Sequence, residues 1–128
     1  MVTNAELIKK AKSVIKPRKN ASGKLLADVG AALSTDKGNI YVGVCIDTNE
    51  GDGICAERSA IAAMVTAGEY TIKKIVAVWT DGTIIPPCGK CREFMWQIHN
   101  NNWKTQIIIK KNKVVALKQL LPYHWHNK

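Results

Sequence analysis

An α/β sandwich with a central sheet is the fold this sequence predicts, and three observations predict it. Segments with helical spacing alternate with β-branched runs in the order helix, two strands, helix, strand, helix, two strands, helix. Ile72–Trp79 stands out among the runs as a buried strand. The length of 128 residues with 46% hydrophobic content suffices for one compact domain, 1–128, that buries a core without disulfide staples.

Each element has a local cause. Thr3 with Glu6 three positions later forms a capping-box pattern, and Leu7, Ile8, Ala11, Val14 and Ile15 then share one helical face until Pro17 stops it. Residues 18–24 are polar and are expected to be a loop. The apolar runs 28–33 and 40–46 flank Asp36-Lys37-Gly38-Asn39, which predicts an antiparallel hairpin. Residues 55–67 are alanine-rich with Ile61, Met64 and Val65, and Gly68 sits where a helix carboxyl-terminal cap belongs. After the strand 72–79, Cys91, Phe94, Met95 and Ile98 make the stripe of a helix over 88–99. Residues 105–109 and 114–117 are two short strands around a lysine turn, and 119–121 belong to a last short helix. No linker, internal repeat or low-complexity segment interrupts this order.

Charge and composition exclude more than they assign. The formal charge is +9, which could draw nucleotides, nucleic acid or anionic lipid, but the lysines are dispersed over element ends and a polar helix face. That dispersion describes a solvated basic surface. Aromatic residues mixed with basic ones, as a single-strand groove requires, occur only in the tail Tyr123-His124-Trp125-His126. No apolar run approaches the roughly 20 residues that span a bilayer. Residues 5–16 are too charged for a signal peptide, so the expected compartment is a reducing cytoplasm, where clustered cysteines bind metal more often than each other.

Those cysteines carry the chemistry. Cys88 and Cys91 stand one helical turn apart and point the same way, and Cys55 at the start of the facing helix would close a three-sulfur zinc site. Helix amino termini favour thiolate, which helps the ligands deprotonate. Three thiolates leave a net charge of −1 on the site, and Arg58 and Arg92 are placed to hydrogen-bond the sulfurs and offset it. The open fourth position would hold a water whose pKa a catalytic zinc lowers to about 7. Glu57, two residues beyond Cys55, is placed to take its proton and deliver it to a leaving group. The competing readings are a closed structural site completed by Cys45, or a redox pair at Cys88 and Cys91. Cys45, isolated in an apolar strand, is more simply a small hydrophobe, and His99, His124 and His126 lie away from the cluster.

Cys55-Ala56-Glu57 followed by Pro87-Cys88-Gly89-Lys90-Cys91 resembles the signature of the zinc-dependent cytidine deaminase superfamily in its three-cysteine form. The likeness extends through Val29-Gly30-Ala31-Ala32-Leu33, Gly43-Val44-Cys45-Ile46-Asp47 and Arg92-Glu93, in the family's order. It implies a five-stranded mixed sheet flanked by helices in three layers, and a homotetramer or dimer whose pockets borrow residues from neighbours. It implies one zinc ion per chain on Cys55, Cys88 and Cys91, with Glu57 as proton shuttle in the hydrolytic deamination of a cytosine ring. It further implies that the Ala56 amide holds the pyrimidine O2 and that the Pro86 carbonyl meets the amino group.

The departures from the family concern the sugar. Ala27 stands where the family carries a pocket aromatic, and Cys45 and Asp47 stand where an Asn and a Glu read the ribose. Cysteine cannot replace both the donor and the acceptor of an amide. The chain is similar in these liberties to blasticidin S deaminases, whose tail also places a tryptophan soon after a Leu-Leu-Pro; here that is Trp125, expected to close over a substrate. Two substrate classes follow, a cytosine nucleoside or a modified cytosine derivative such as blasticidin S. A nucleic-acid binder or editor is the reading from a different class, and the chain has no extra loop to hold a strand.

Overall fold

The computed structural model describes residues 1–125, so His126 lies outside the described residues. Helix α1 (Asn4–Ser13) is followed by strands β1 (Arg18–Lys19), β2 (Leu25–Thr35) and β3 (Ile40–Ile46), then helix α2 (Ala56–Thr66) and strand β4 (Ile72–Trp79). Helix α3 (Gly89–Ile98), a 3₁₀ turn (Asn100–Lys104), strands β5 (Gln106–Lys110) and β6 (Lys113–Ala116), and helix α4 (Leu117–Leu120) complete the order.

The strands form one mixed sheet. β2 lies between β3 and β4 and is antiparallel to both, β4 runs parallel to β5, and β6 returns antiparallel along β5. Among the described residues the sheet has six strands where five are expected. The additional one is β1, whose Arg18 and Lys19 pair with Leu26 and Leu25 inside a segment expected to be a loop. Two polar residues carry no strand pattern, and the pairing comes from the neighbouring edge of β2.

Alternation along the strands sends side chains to two cores. Ala31, Leu33, Ile75, Ala77 and Ile107 face Ala60, Ile61 and Met64 of α2, Met95 of α3 and Leu117 of α4. Ala32, Val76, Val78 and Ile108 face Leu7 and Ala11 of α1 on the opposite side. Helices on both faces of a mixed sheet make the three-layer sandwich. Two glycines let the helices approach: a Cβ on Gly43 would collide with the Ala60 backbone nitrogen of α2, and one on Gly30 with the Ala11 carbonyl oxygen of α1.

Local signals are realised with differences at the ends. The Thr3 hydroxyl accepts from the Glu6 amide at 3.1 Å, but the Glu6 carboxylate meets the Thr3 hydroxyl and not its backbone N–H, so the box is half formed. α1 stops at Ser13, ahead of Pro17. The 3₁₀ turn after α3 was not expected; it places Asn102, fully buried, where its amide donates to the Tyr70 and Met95 carbonyls at 3.0 and 2.9 Å and accepts from the Ile72 amide at 2.8 Å. One side chain thus ties the start of β4 to the end of α3.

The sheet is irregular beside its centre. From Leu26 to Gly30 on β2 the partner advances only from Ile46 to Val44 on β3, a bulge, and within it Ala27 holds a φ of +60°. A buried alanine in the left-handed region costs on the order of 1 kcal/mol, which the surrounding pairing must offset. The Ala27 carbonyl accepts from the Lys16 amide at 2.9 Å, anchoring the bulge to the end of α1.

Candidate metal centre and active site

Two helix amino termini build the site. Cys55 is the N-cap of α2 and Cys88 the N-cap of α3, each with extended backbone, and Cys91 follows in the first turn of α3. A cap residue points its side chain across the first turn, so the two helices aim three sulfurs at one point. The Cys55 and Cys88 sulfurs lie 3.7 Å apart, Cys88 and Cys91 3.6 Å, and all three fall within 4.8 Å of one another. A tetrahedral ion with Zn–S bonds of about 2.3 Å separates its sulfurs by roughly 3.8 Å. The three cysteines therefore fit one zinc ion per chain.

Cys45 lies outside this cluster. Its thiol donates to Asp28 Oδ1 at 2.7 Å and accepts from the Val29 amide at 3.4 Å. A closed four-cysteine site is not what the fold assembles. Burial raises the Cys45 thiol above its ordinary pKa, with the Asp28 contact adding to it. At the cluster, burial pushes Cys88 up, but the Cys91 and Lys90 amides and the neighbouring thiols outweigh it and leave Cys88 lowered. Burial first, then the charge of Glu57, raises Cys91.

Glu57 is 6% exposed, and its carboxyl is raised above the usual range by burial, with Arg58 pulling against it. Arg58 donates to Cys55 Sγ at 3.8 Å and to the Gly53 carbonyl at 3.3 Å, as a residue offsetting thiolate charge should. Arg92 goes elsewhere. Its guanidinium donates to the Pro87 carbonyl at 2.8 Å and to the Leu120 carbonyl at 3.2 Å, so it braces the Pro-Cys turn against α4 instead of touching a sulfur.

A cavity of about 170 Å³ opens on the cluster, and Cys45, Cys55, Ala56, Glu57, Pro86 and Cys88 line it. Apolar Val29, Ala77 and Ile85 complete its wall. Three expected contacts are not brought to that wall. Ala27 is fully buried in the bulge, Asp47 is exposed with its carbonyl taken by the Asn20 amide at 3.4 Å, and Trp125 is 80% exposed with its amide on Glu93 Oε1 at 2.9 Å. The tail packs instead through His124, stacked on Trp96 with ring centroids 3.9 Å apart.

The family model for the cytidine and deoxycytidylate deaminase zinc-binding region matches residues 1–107. The chain belongs to this deaminase family. It is 43% identical over 68 residues to a probable cytidine deaminase of Dictyostelium discoideum, covering 52% of this chain and 46% of the relative. It is 37% identical over 76 residues to the blasticidin-S deaminase of Bacillus cereus, covering 52% and 54% respectively. The chain spans about half the length of the curated relatives it matches in these alignments. The crystal structure of cytidine deaminase from Burkholderia pseudomallei superposes with a TM-score of 0.78 at 26% identity over 97% of this chain and 100% of that one.

Within this deaminase scaffold, sequence reasoning missed Asp28 and Trp79. Asp28 Oδ2 accepts from the Trp79 indole N–H at 3.3 Å while Oδ1 holds the Cys45 thiol. Plain alternation puts Asp28 on the face opposite Val29, and the bulge is what reverses it. Val29, Ala77 and Ile85 were missed as pocket walls because an apolar residue in a strand looks the same whether it lines a core or a cavity.

Proposed function

We propose that this chain is a hydrolase that deaminates the cytosine ring of a nucleoside, cytidine or deoxycytidine, to the uracil product and ammonia. The observation that carries the reading is a buried carboxylate, Glu57, lining one cavity with Cys55 and Cys88, whose sulfurs converge with that of Cys91 behind them. Zinc held by Cys55, Cys88 and Cys91 would supply Lewis acidity that brings the pKa of a water near 7. Glu57 takes a proton from the attacking water and passes it to the departing amino group; burial raises its carboxyl, which makes it a readier proton acceptor than an exposed carboxylate. The Ala56 N–H is a first-turn donor of α2 with no partner inside the helix, free to hold the ring oxygen O2, and the carbonyl of Pro86, which lines the cavity, is assigned to the amino group. Val29, Ala77 and Ile85 offer the ring an apolar wall.

The whole chain acts as one deaminase domain in this reading, a homotetramer or dimer in a reducing cytoplasm, serving pyrimidine salvage. Among the described residues no helix is long and apolar enough to cross a membrane. Similarity to the blasticidin-S deaminase of Bacillus cereus supports a second reading, the same chemistry on a modified cytosine derivative. Ammonia release from cytidine, deoxycytidine, cytosine and blasticidin S tests both. Turnover of cytidine or deoxycytidine above the others supports the first, and blasticidin S as clearly the best substrate replaces it with the second. Glu57→Gln should cost about 10²–10⁴-fold in kcat with zinc content retained; unchanged kcat removes Glu57 from the mechanism.

A further inference from the structure

The bulge on β2 aims a carboxylate at the rim of the cavity. Val29, Ala31 and Leu33 project to the face carrying the metal cluster, so regular alternation would send Asp28 to the α1 face. Instead the left-handed turn at Ala27 and the register shift between Leu26 and Gly30 bring the Asp28 carboxylate between Cys45 of β3 and Trp79 of β4. Cys45 lines the cavity, and Trp79, two residues beyond the lining residue Ala77, projects from the same face with 45% of its surface exposed. Bulges beside active sites commonly re-aim a side chain in this way.

Hydrogen-bond accounting then separates the roles. Cys45 has one S–H, and it is spent on Asp28, while its sulfur accepts from the Val29 amide. The thiol thus offers a substrate no donor. An ionised Asp28 has about four acceptor sites, two of which meet Cys45 and Trp79, so two lone pairs remain beside a cavity whose wall is otherwise largely apolar. A charged acceptor at the rim of an apolar slot selects a ligand with a flat ring and a hydroxyl-bearing substituent.

We propose that Asp28, oriented by Cys45 and Trp79, is the specificity-determining residue that reads the hydroxyl groups of the substituent on the cytosine ring. This rests on the deaminase reading above. It moves the sugar contact from Cys45 on β3 and Asp47 just beyond that strand to β2, where no signal for it was visible, and leaves Cys45 as a positioning residue.

The test compares cytidine with 2′,3′-dideoxycytidine, which lacks the hydroxyls, in zinc-loaded wild type, Asp28→Asn, Cys45→Ala and Cys45→Ser. Asp28→Asn should lower the ratio of kcat/KM for cytidine over dideoxycytidine by about tenfold or more, the scale of a hydrogen bond to a charged group, and the loss should sit in KM. Cys45→Ala should lower the ratio less, and Cys45→Ser, which keeps a donor for Asp28, should restore it. Equal losses on both substrates in Asp28→Asn, or no loss, overturn the proposal. Uridine and uracil binding, measured by calorimetry, gives a readout independent of turnover: the preference for uridine should vanish in Asp28→Asn and its persistence overturns the proposal. If wild type releases no ammonia from any cytosine compound, the deaminase reading fails, and the uridine comparison alone decides Asp28.

Discussion

Gly43 shows at the residue scale how one missing methyl group sets the distance between a strand and the site helix. A Cβ there meets the Ala60 nitrogen and lies 2.6 Å from Ser59 Cβ, both on α2, so neither neighbour can yield without moving helix backbone. Gly43→Ala should therefore lower stability by about 1–3 kcal/mol, the range for overpacking, and lower zinc affinity with it as Cys55 is carried outward. Chemical denaturation and a competitive zinc titration check both, and a variant as stable as wild type would show the sheet and α2 to be loosely coupled. The three-cysteine cluster, and the position of Glu57 beside it, were legible in the sequence because ligand chemistry permits few residue types at few spacings. Asp28 was not, since its orientation depends on an alanine at φ +60°, and nothing in an alanine announces that conformation. Arg92 was legible as a cation near the site but not in its partners, because a long guanidinium side chain reaches carbonyls or sulfurs equally well from one backbone position.

Between elements, the β2–β3 hairpin is held to the loop after α2 by Glu69. Its Oε2 accepts from the Tyr41 hydroxyl at 2.6 Å and from the Asn39 amide at 2.8 Å, bridging the hairpin to the segment that leads into β4. The Tyr41 hydroxyl above all, with Thr35 and Asn39, holds the Glu69 carboxyl below its ordinary value. A carboxyl depressed in the folded state stabilises above its unfolded pKa, about 4.3, and that stabilisation is lost as pH falls through the folded value. The melting temperature of wild type should exceed that of Glu69→Gln near neutrality, and the gap should close below about pH 4; a gap independent of pH would assign the effect to shape instead of charge. Hairpin and helix positions were legible from periodicity and the Asp36–Asn39 turn. The 3₁₀ turn was not, because Asn100 to Lys104 has no apolar repeat and exists to deliver Asn102 to three backbone groups. β1 was equally silent, being made by its partner strand.

Across the whole molecule, the sandwich brings together residues that are far apart in the chain. Cys55 and Cys88 are 33 positions apart, with β4 running between them through the middle of the sheet, yet their sulfurs rest 3.7 Å from each other. A shared ion closes that loop as a covalent cross-link would, so stripping it with a chelator should lower the melting temperature as well as activity. The same spacing has a chemical consequence. Cysteine sulfurs at this distance need less than 2 Å of travel to reach the disulfide length of about 2.05 Å, and Cys88 is exposed to solvent oxidants. A chain deprived of its ion under air should therefore lose two hydrogens by intact mass, trap Cys88 against Cys55 or Cys91, which lie 3.7 and 3.6 Å from it, and refuse zinc until a reductant is added. Oxidation that leaves the mass unchanged or joins Cys45 instead would contradict this. The metal, on this view, is also a protecting group: it keeps three neighbouring thiols from consuming one another.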